Sequence, residues 1–182
     1  TITFMSDWLA QLGADLGAAD ANGWTPLHWA SSCGRSETVR YLLDKGVSSD
    51  ARDRYGRTPT HQAVLAGQDA VTQVLAPHGA PLDDFANAAL GNAEAVVSVT
   101  ARDAFGWTPL HWACRAGQVD AVRALLTRGS DPNALDSEGH PALFVAAYDA
   151  RQLACVEALI EAGADPTARD GADCGILAYD VG

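Results

Sequence analysis

Three histidines recur at one position of a repeated pattern, and they are the residues of this sequence most suggestive of chemistry. His28, His61 and His111 each lie three residues after a threonine. Imidazole is a common zinc ligand and general base, so a recurring histidine favours a metal centre or an acid-base site. If the pattern reflects stacked helical units, however, equivalent atoms lie about 10 Å apart, whereas zinc binds nitrogen at about 2 Å. We therefore predict structural histidines and no metal site.

The other reactive side chains do not form the pattern of an enzyme. Four cysteines are far apart and make neither a Cys-x-x-Cys pair nor a spacing interleaved with histidine: Cys33, Cys114, Cys155 and Cys174. The sequence has no nucleophile elbow, phosphate-binding loop, dinucleotide-binding turn or carboxylate-rich metal loop. We predict no catalytic residues and no cofactor. Free thiols are expected in a reducing intracellular compartment, with the cytoplasm favoured.

Composition predicts a folded, acidic protein. The chain has 182 residues, of which 48% are apolar, and its 12 Lys and Arg against 23 Asp and Glu give a formal net charge of −11. That charge repels nucleic acid but attracts a basic peptide or protein face. An acidity that only aids solubility explains the composition equally well. No stretch approaches the roughly 18 apolar residues of a membrane span, so membrane insertion is not expected.

The elements that position the histidines come from an internal repeat. A seven-residue motif at 24–30 returns nearly intact at 107–113, and altered copies occupy 57–63 and 140–146. Each copy follows a glycine that stands three residues after an aspartate, a spacing typical of a tight turn. The motif then offers a threonine cap and a proline, which start a helix, and a second amphipathic stretch follows. The glycines are Gly23, Gly56, Gly106 and Gly139, separated by 33, 50 and 33 residues.

This pattern resembles the ankyrin-repeat family, whose unit is a β-turn finger and two antiparallel helices, with Thr-Pro-Leu-His opening the first helix. The resemblance covers almost the whole chain and implies an all-α solenoid of stacked helix pairs. It also implies that each histidine hydrogen-bonds the local threonine and the backbone of the next finger.

Counting from the glycines predicts one domain over 1–182 with irregular repeats. We expect a partial repeat at 1–19, full repeats at 20–52 and 53–82, a short repeat without a finger at 83–102, further repeats at 103–135 and 136–169, and a partial repeat at 170–182. Sixteen residues are missing from the middle, so the third repeat keeps its first helix and has a truncated second one. Two extra residues near 148–151 predict a bulged loop.

The resemblance implies that function lies on a concave surface formed by finger tips and first helices. Aromatic and arginine side chains, which dominate interface hot spots, gather at those positions. The expected partner-binding residues are Asn22, Trp24, Trp29, Tyr55, Arg57, Gln62, Phe105, Trp107, Trp112 and Arg115. The leading hypothesis is a scaffold or adaptor that binds another protein, whose contact is a basic or an extended segment. The alternatives are a structural subunit of a larger assembly and a regulatory module of an enzyme.

Overall fold

The computed structural model describes residues 15–78, 82–148 and 152–168. The chain divides into an N-terminal unit that ends at residue 81 and a C-terminal unit that begins at residue 82. The N-terminal unit contains α1 (Pro26–Ser32), α2 (Ser36–Asp44), α3 (Pro59–Leu65), α4 (Asp69–Leu75) and a 3₁₀ turn (Ala76–His78). The C-terminal unit contains α5 (Asp84–Ala89), a 3₁₀ turn (Ala93–Ala95), α6 (Pro109–Arg115), α7 (Val119–Thr127), α8 (Ala142–Ala147) and α9 (Leu153–Glu161). The predicted all-α class is confirmed.

Helix pairs stack within each unit around an apolar core. In the N-terminal unit α1 packs against α2 and α3, and α4 packs against α2 and α3. In the C-terminal unit α6 packs against α5, α7 and α8, while α9 packs against α7 and α8. Neither helix of a pair buries its apolar stripe alone, so neighbouring repeats complete the core. In the N-terminal unit the most deeply buried apolar residues are Leu27, Val39, Leu42, Ala63, Val71 and Leu75.

An aspartate organises each finger. Its Oδ1 accepts hydrogen bonds from two backbone N–H groups. In the first finger, Asp20 accepts from the N–H of Asn22 at 2.8 Å and from that of Trp24 at 2.9 Å. The bonds recur at Asp53, Asp103 and Asp136. Neighbouring fingers also join, because the Arg54 N–H donates to the Asn22 carbonyl at 3.0 Å. Gly23 lies at this junction with φ of 80°, where a Cβ would come within 3.0 Å of the Asp53 Cα.

The recurring histidines connect the first helix to these fingers. The Thr25 N–H donates to the Nδ1 of His28 at 3.1 Å, and the opposite ring nitrogen, Nε2, lies 3.1 Å from the Arg57 carbonyl of the next finger. His111 makes the same two contacts, with Thr108 and with the His140 carbonyl. His61 makes the local contact with Thr58. The expected contact with the local threonine is confirmed for all three histidines. The expected contact with the backbone of the next finger is confirmed for His28 and His111.

Residues 91–102 of the third repeat form no α-helix, where the residue count predicted a truncated second helix or a loop. The 3₁₀ turn Ala93–Ala95 takes its place. Side chains from outside the turn satisfy its backbone: the Arg128 guanidinium donates to the Ala93 carbonyl and, at 2.5 Å, to the Val96 carbonyl. On the other side the Asp84 carboxylate accepts the N–H groups of Val97 and Ser98 at 2.6 and 3.0 Å. Arg128 directly follows α7. Its guanidinium donates to carbonyl groups that would accept backbone N–H groups in a complete helix.

Several expectations fall outside the described residues. They are the greater part of the partial repeat at 1–19, the partial repeat at 170–182 and the core of the loop expected at 148–151.

Candidate protein-binding surfaces

Two tryptophans form the aromatic part of the N-terminal surface. The rings of Trp24 and Trp29 meet edge to face with centroids 4.7 Å apart. Trp29 is 53% exposed, while Trp24 is half-buried and stacks on His28 at 6.2 Å. The indole N–H of Trp29 points to the Asp20 carboxylate at 3.4 Å. Trp29 therefore offers a large apolar face to solvent, as expected for a contact residue. Asn22 is also exposed, at the tip of the same finger.

A tyrosine and two arginines form the tip of the next finger. Tyr55 is 41% exposed, and the guanidinium carbon atoms of Arg54 and Arg57 lie 4.6 and 5.9 Å from its ring centroid. The Nη2 of Arg54 also donates to the Tyr55 hydroxyl at 2.5 Å. Arg54 was not among the contact residues expected from the sequence. Its place beside Tyr55, in a segment with three arginines in six residues, was the signal available.

Gln62 does not belong to the exposed surface, and its predicted contact role is wrong. The residue is only 5% exposed and lies on α3, where its Nε2 donates to the Asp53 Oδ2 at 2.9 Å. Asp53 organises the finger that precedes α3, so the bond fixes that finger to its own helix. A side chain in this position stabilises the repeat and cannot reach a partner.

In the C-terminal unit the second tryptophan pair is differently exposed. Trp112 is fully buried, and its indole N–H donates to the Asp103 Oδ2 at 3.1 Å. Trp107 is half-buried, contacts Trp112 edge to face at 5.5 Å and donates to Asp136 of the next finger at 3.1 Å. The expected contact role of Trp112 is therefore wrong, since a fully buried ring leaves no area for a partner. Trp107 connects two fingers and exposes only part of its ring.

Phe105 and Arg115 are the other expected contact residues of this unit. Both are half-buried. The Phe105 carbonyl accepts the Ser137 N–H at 3.0 Å, and the Arg115 carbonyl lies 3.5 Å from the Nε2 of Gln152. Their backbones thus join repeats, and part of each side chain stays accessible.

Three of the expected contact residues share one hydrogen bond to the aspartate of their own finger. Trp29, Gln62 and Trp112 each lie nine residues after the aspartate of their own finger, and each donates a side-chain N–H to its Oδ2. The contact lengthens from 2.9 Å at Gln62 to 3.4 Å at the exposed Trp29. The spacing predicts the bond but not the burial, which separates Gln62 and Trp112 from the exposed Trp29.

Hydrogen bonding and burial shift the pKa values of three groups in this framework. Backbone hydrogen bonding, chiefly from Trp24, lowers the pKa of Asp20 and keeps its carboxylate charged. Burial lowers the pKa of His28 and of His111, although the carbonyls that they contact oppose the shift. Both imidazoles are therefore neutral at neutral pH and use both nitrogens on the protein itself.

Metal and thiol chemistry has no evident site in the residues that the structure describes. Within them no three His, Cys, Asp or Glu side chains come together as metal ligands, and no helix is long and apolar enough to cross a membrane. Cys33 is an exposed free thiol, and Cys114 and Cys155 are buried free thiols. Burial raises the pKa of the Cys114 thiol, which makes it unreactive at neutral pH.

Comparison with known proteins gives matches to repeats of one type. A family model described as ankyrin repeats, in three copies, matches residues 5–86 and 83–170. Protein phosphatase 1 regulatory subunit 27 of Mus musculus is 46% identical over 43 residues, and the Homo sapiens protein of the same name is 46% identical over the same length. Each match covers 24% of this chain and 28% of the relative, so the chain spans little more than a quarter of the curated relatives that it matches.

Proposed function

We propose that this chain, which belongs to the ankyrin-repeat family, is a non-catalytic adaptor. It binds a partner protein through its fingers and first helices. Ankyrin repeats generally mediate protein–protein interactions. The observation that carries the proposal here is the exposure of two large aromatic side chains, Trp29 and Tyr55, on adjacent repeats of the N-terminal unit. Tryptophan, tyrosine and arginine are the residues most enriched in binding hot spots, so Arg57 joins them in the proposed contact set.

The charges of the chain add a preference to the proposed adaptor. Residues 82–182 carry fifteen acidic and six basic side chains, whereas residues 1–81 carry eight and six. We propose that the C-terminal unit, with Trp107, Phe105 and Arg115 partly accessible, attracts a basic or extended segment of a partner. The same excess of negative charge disfavours a nucleic acid.

A crosslinking experiment tests the adaptor function. A photoreactive phenylalanine analogue replaces Tyr55 at the finger tip. The same analogue at Tyr148, which directly follows α8 and is 86% exposed, serves as the control. The full chain is returned to its native cells and irradiated. The proposal predicts a discrete protein adduct from position 55 that excess unmodified chain suppresses and that position 148 does not form. Equal adducts from both positions, or none from position 55, would contradict it.

A regulatory role is the second candidate, because the relatives matched above are named as phosphatase regulatory subunits. The match extends over 43 residues, little more than one repeat. The test is a phosphatase assay on the complex purified with this chain. Activity that co-purifies with the wild-type chain and is lost with a Tyr55→Ala variant supports a regulatory module, and a complex without activity favours a simple adaptor.

A further inference from the structure

The tip of the second finger has a charge opposite to that of the rest of the chain. Arg52, Arg54 and Arg57 lie within six residues and make up three of the chain's twelve basic side chains. The aspartate between them, Asp53, is only 6% exposed, and its carboxylate is held by backbone N–H groups and by Gln62. The finger therefore buries its negative charge and exposes the positive charges of Arg52 and Arg54, with Arg57 half-buried beside them.

The three arginines have different tasks. The Nη1 of Arg52 donates to the Gly56 carbonyl at 2.6 Å, and Arg102 makes the same bond to Gly106 at 2.9 Å in the fourth repeat. Arg52 is thus part of the finger's framework. Arg54 and Arg57 have no equivalents, because those positions of the fourth repeat are Ala104 and Trp107.

The ring of Tyr55 orders the two unique arginines. Both guanidinium groups lie within 6 Å of its centroid, and the Arg54 bond to the hydroxyl fixes one of them further. Cation–π contacts of this kind hold a guanidinium flat against the ring, with N–H groups at its edge. A guanidinium carries five N–H donors in a fixed fork, and that fork matches the two oxygens of a carboxylate. Ordering the forks in advance reduces the entropy lost on binding.

We propose that this Arg-Tyr tip, defined as Arg54, Tyr55 and Arg57, binds an acidic segment of a partner protein. The inference rests on the proposed adaptor function and names the chemistry of one contact within it. The arginines pair with aspartate or glutamate side chains, and the exposed face of Tyr55 covers an apolar residue of the same segment. Trp24 and Trp29 extend the apolar area on the adjoining repeat, whose finger the Arg54 N–H joins at the Asn22 carbonyl.

Two exposed carboxylates near the tip limit the length of the acidic segment. Asp20 lies beside Trp29, and Asp50 lies two residues before Arg52 and contacts Ser48. Exposed charges act over about 8 Å at physiological salt, so the tip attracts a few carboxylates locally while the net charge of −11 repels a long polyanion. This favours a short acidic peptide over a nucleic acid.

Peptide selection tests the inference on the full chain. The probe is a displayed library of random 12-residue peptides, selected against the wild-type protein and then measured individually by fluorescence anisotropy. The test variant is Arg54→Glu/Arg57→Glu. The matched control is Arg35→Glu/Arg40→Glu, which makes the same charge change at two exposed positions of the same unit away from the finger.

The expected result is a set of peptides enriched in Asp and Glu with one apolar or aromatic residue. Their affinity falls about tenfold or more in the test variant, less than threefold in the control, and decreases as salt rises. Basic peptides whose affinity is unchanged in the test variant belong to the acidic C-terminal unit and do not bear on the tip. The inference is overturned, and the adaptor function left standing, if the peptides that depend on Arg54 and Arg57 are basic or neutral, or if the acidic peptides lose affinity equally in both variants. Failure to enrich any peptide contradicts both. Stronger binding of a 20-nucleotide single strand than of any selected peptide also overturns it.

Discussion

The two copies of the tryptophan motif allow one substitution to be compared at the same repeat position in two environments. Trp29 and Trp112 both lie nine residues after a finger aspartate, but Trp29 is 53% exposed and Trp112 is fully buried. We predict that Trp112→Ala destabilises the fold and that Trp29→Ala largely spares it. The contrast separates a packing residue from a candidate contact residue.

The magnitudes follow from burial. Removal of a fully buried tryptophan leaves a large cavity and costs about 3–5 kcal/mol of unfolding free energy. Trp112→Ala also removes the 3.1 Å hydrogen bond to Asp103. Trp112→Phe keeps most of the packing and loses mainly that bond, so we expect it to lower the unfolding free energy by about 1 kcal/mol. Trp29→Ala removes a half-solvated ring with a weak 3.4 Å contact, so we expect a cost of about 1 kcal/mol or less.

Urea unfolding followed by far-ultraviolet circular dichroism measures these differences without relying on tryptophan fluorescence. The expected order of unfolding free energies is wild type and Trp29→Ala, then Trp112→Phe, then Trp112→Ala. A Trp112→Ala protein within about 1 kcal/mol of wild type would refute the assignment of this ring to the core. A Trp29→Ala cost as large as that of Trp112→Ala would refute the assignment of Trp29 to an open surface.

Three further predictions concern the framework. Arg128→Met should lower the unfolding free energy by about 1–3 kcal/mol, since it removes both guanidinium bonds and leaves the Ala93 carbonyl with only the Val96 N–H, at 3.2 Å. Arg123→Met breaks an exposed 3.4 Å ion pair and should cost less than about 1 kcal/mol in the same urea titration. Burial lowers the pKa of His28 and of His111 below the ordinary 6.5, so the unfolded chain takes up protons before the folded chain does as the pH falls. The unfolding free energy should therefore be constant above pH 6.5 and fall as the pH drops below it. A urea midpoint that stays level from about pH 7.5 to about pH 5 would be inconsistent with this prediction. Hydrogen exchange should be faster at Ala93–Ala95 than in α3 or α6, because a single 3₁₀ turn offers its neighbours little interface. Protection at Ala93–Ala95 as strong as in those two helices would contradict this prediction.

The fingers and helix starts were predictable because local bonds determine them. Asp20 reaches the N–H groups of residues two and four positions later, and Thr25 reaches His28 three positions later. Such short separations appear directly in a single sequence as fixed spacings. The same counting predicted that the second helix of the third repeat is shortened, and a 3₁₀ turn stands at its place.

The means by which that truncated helix is stabilised was not predictable from spacing. Arg128 lies 35 residues from Ala93 in the chain, and an arginine at the end of an amphipathic helix has many ordinary roles on a solvated surface. Its task here depends on how α7 packs on the 3₁₀ turn. Only the three-dimensional arrangement shows that one guanidinium serves two carbonyls.

Burial of the predicted contact residues was the main point at which sequence reasoning failed. The motif 24–30 and the motif 107–113 differ in no position that would separate Trp29 from Trp112. Two contacts of the second copy are described in the structure: α5 packs against α6, the helix that carries Trp112, and Trp107 bonds Asp136, whereas the corresponding Asp53 oxygen accepts from Gln62. A stacked repeat thus gives one residue two functions according to what lies before and after it. Contact residues in such a chain must therefore be identified from each repeat's neighbours, and this is why the exposed tip at Tyr55, with no tryptophan, is a better candidate than the more conspicuous Trp112.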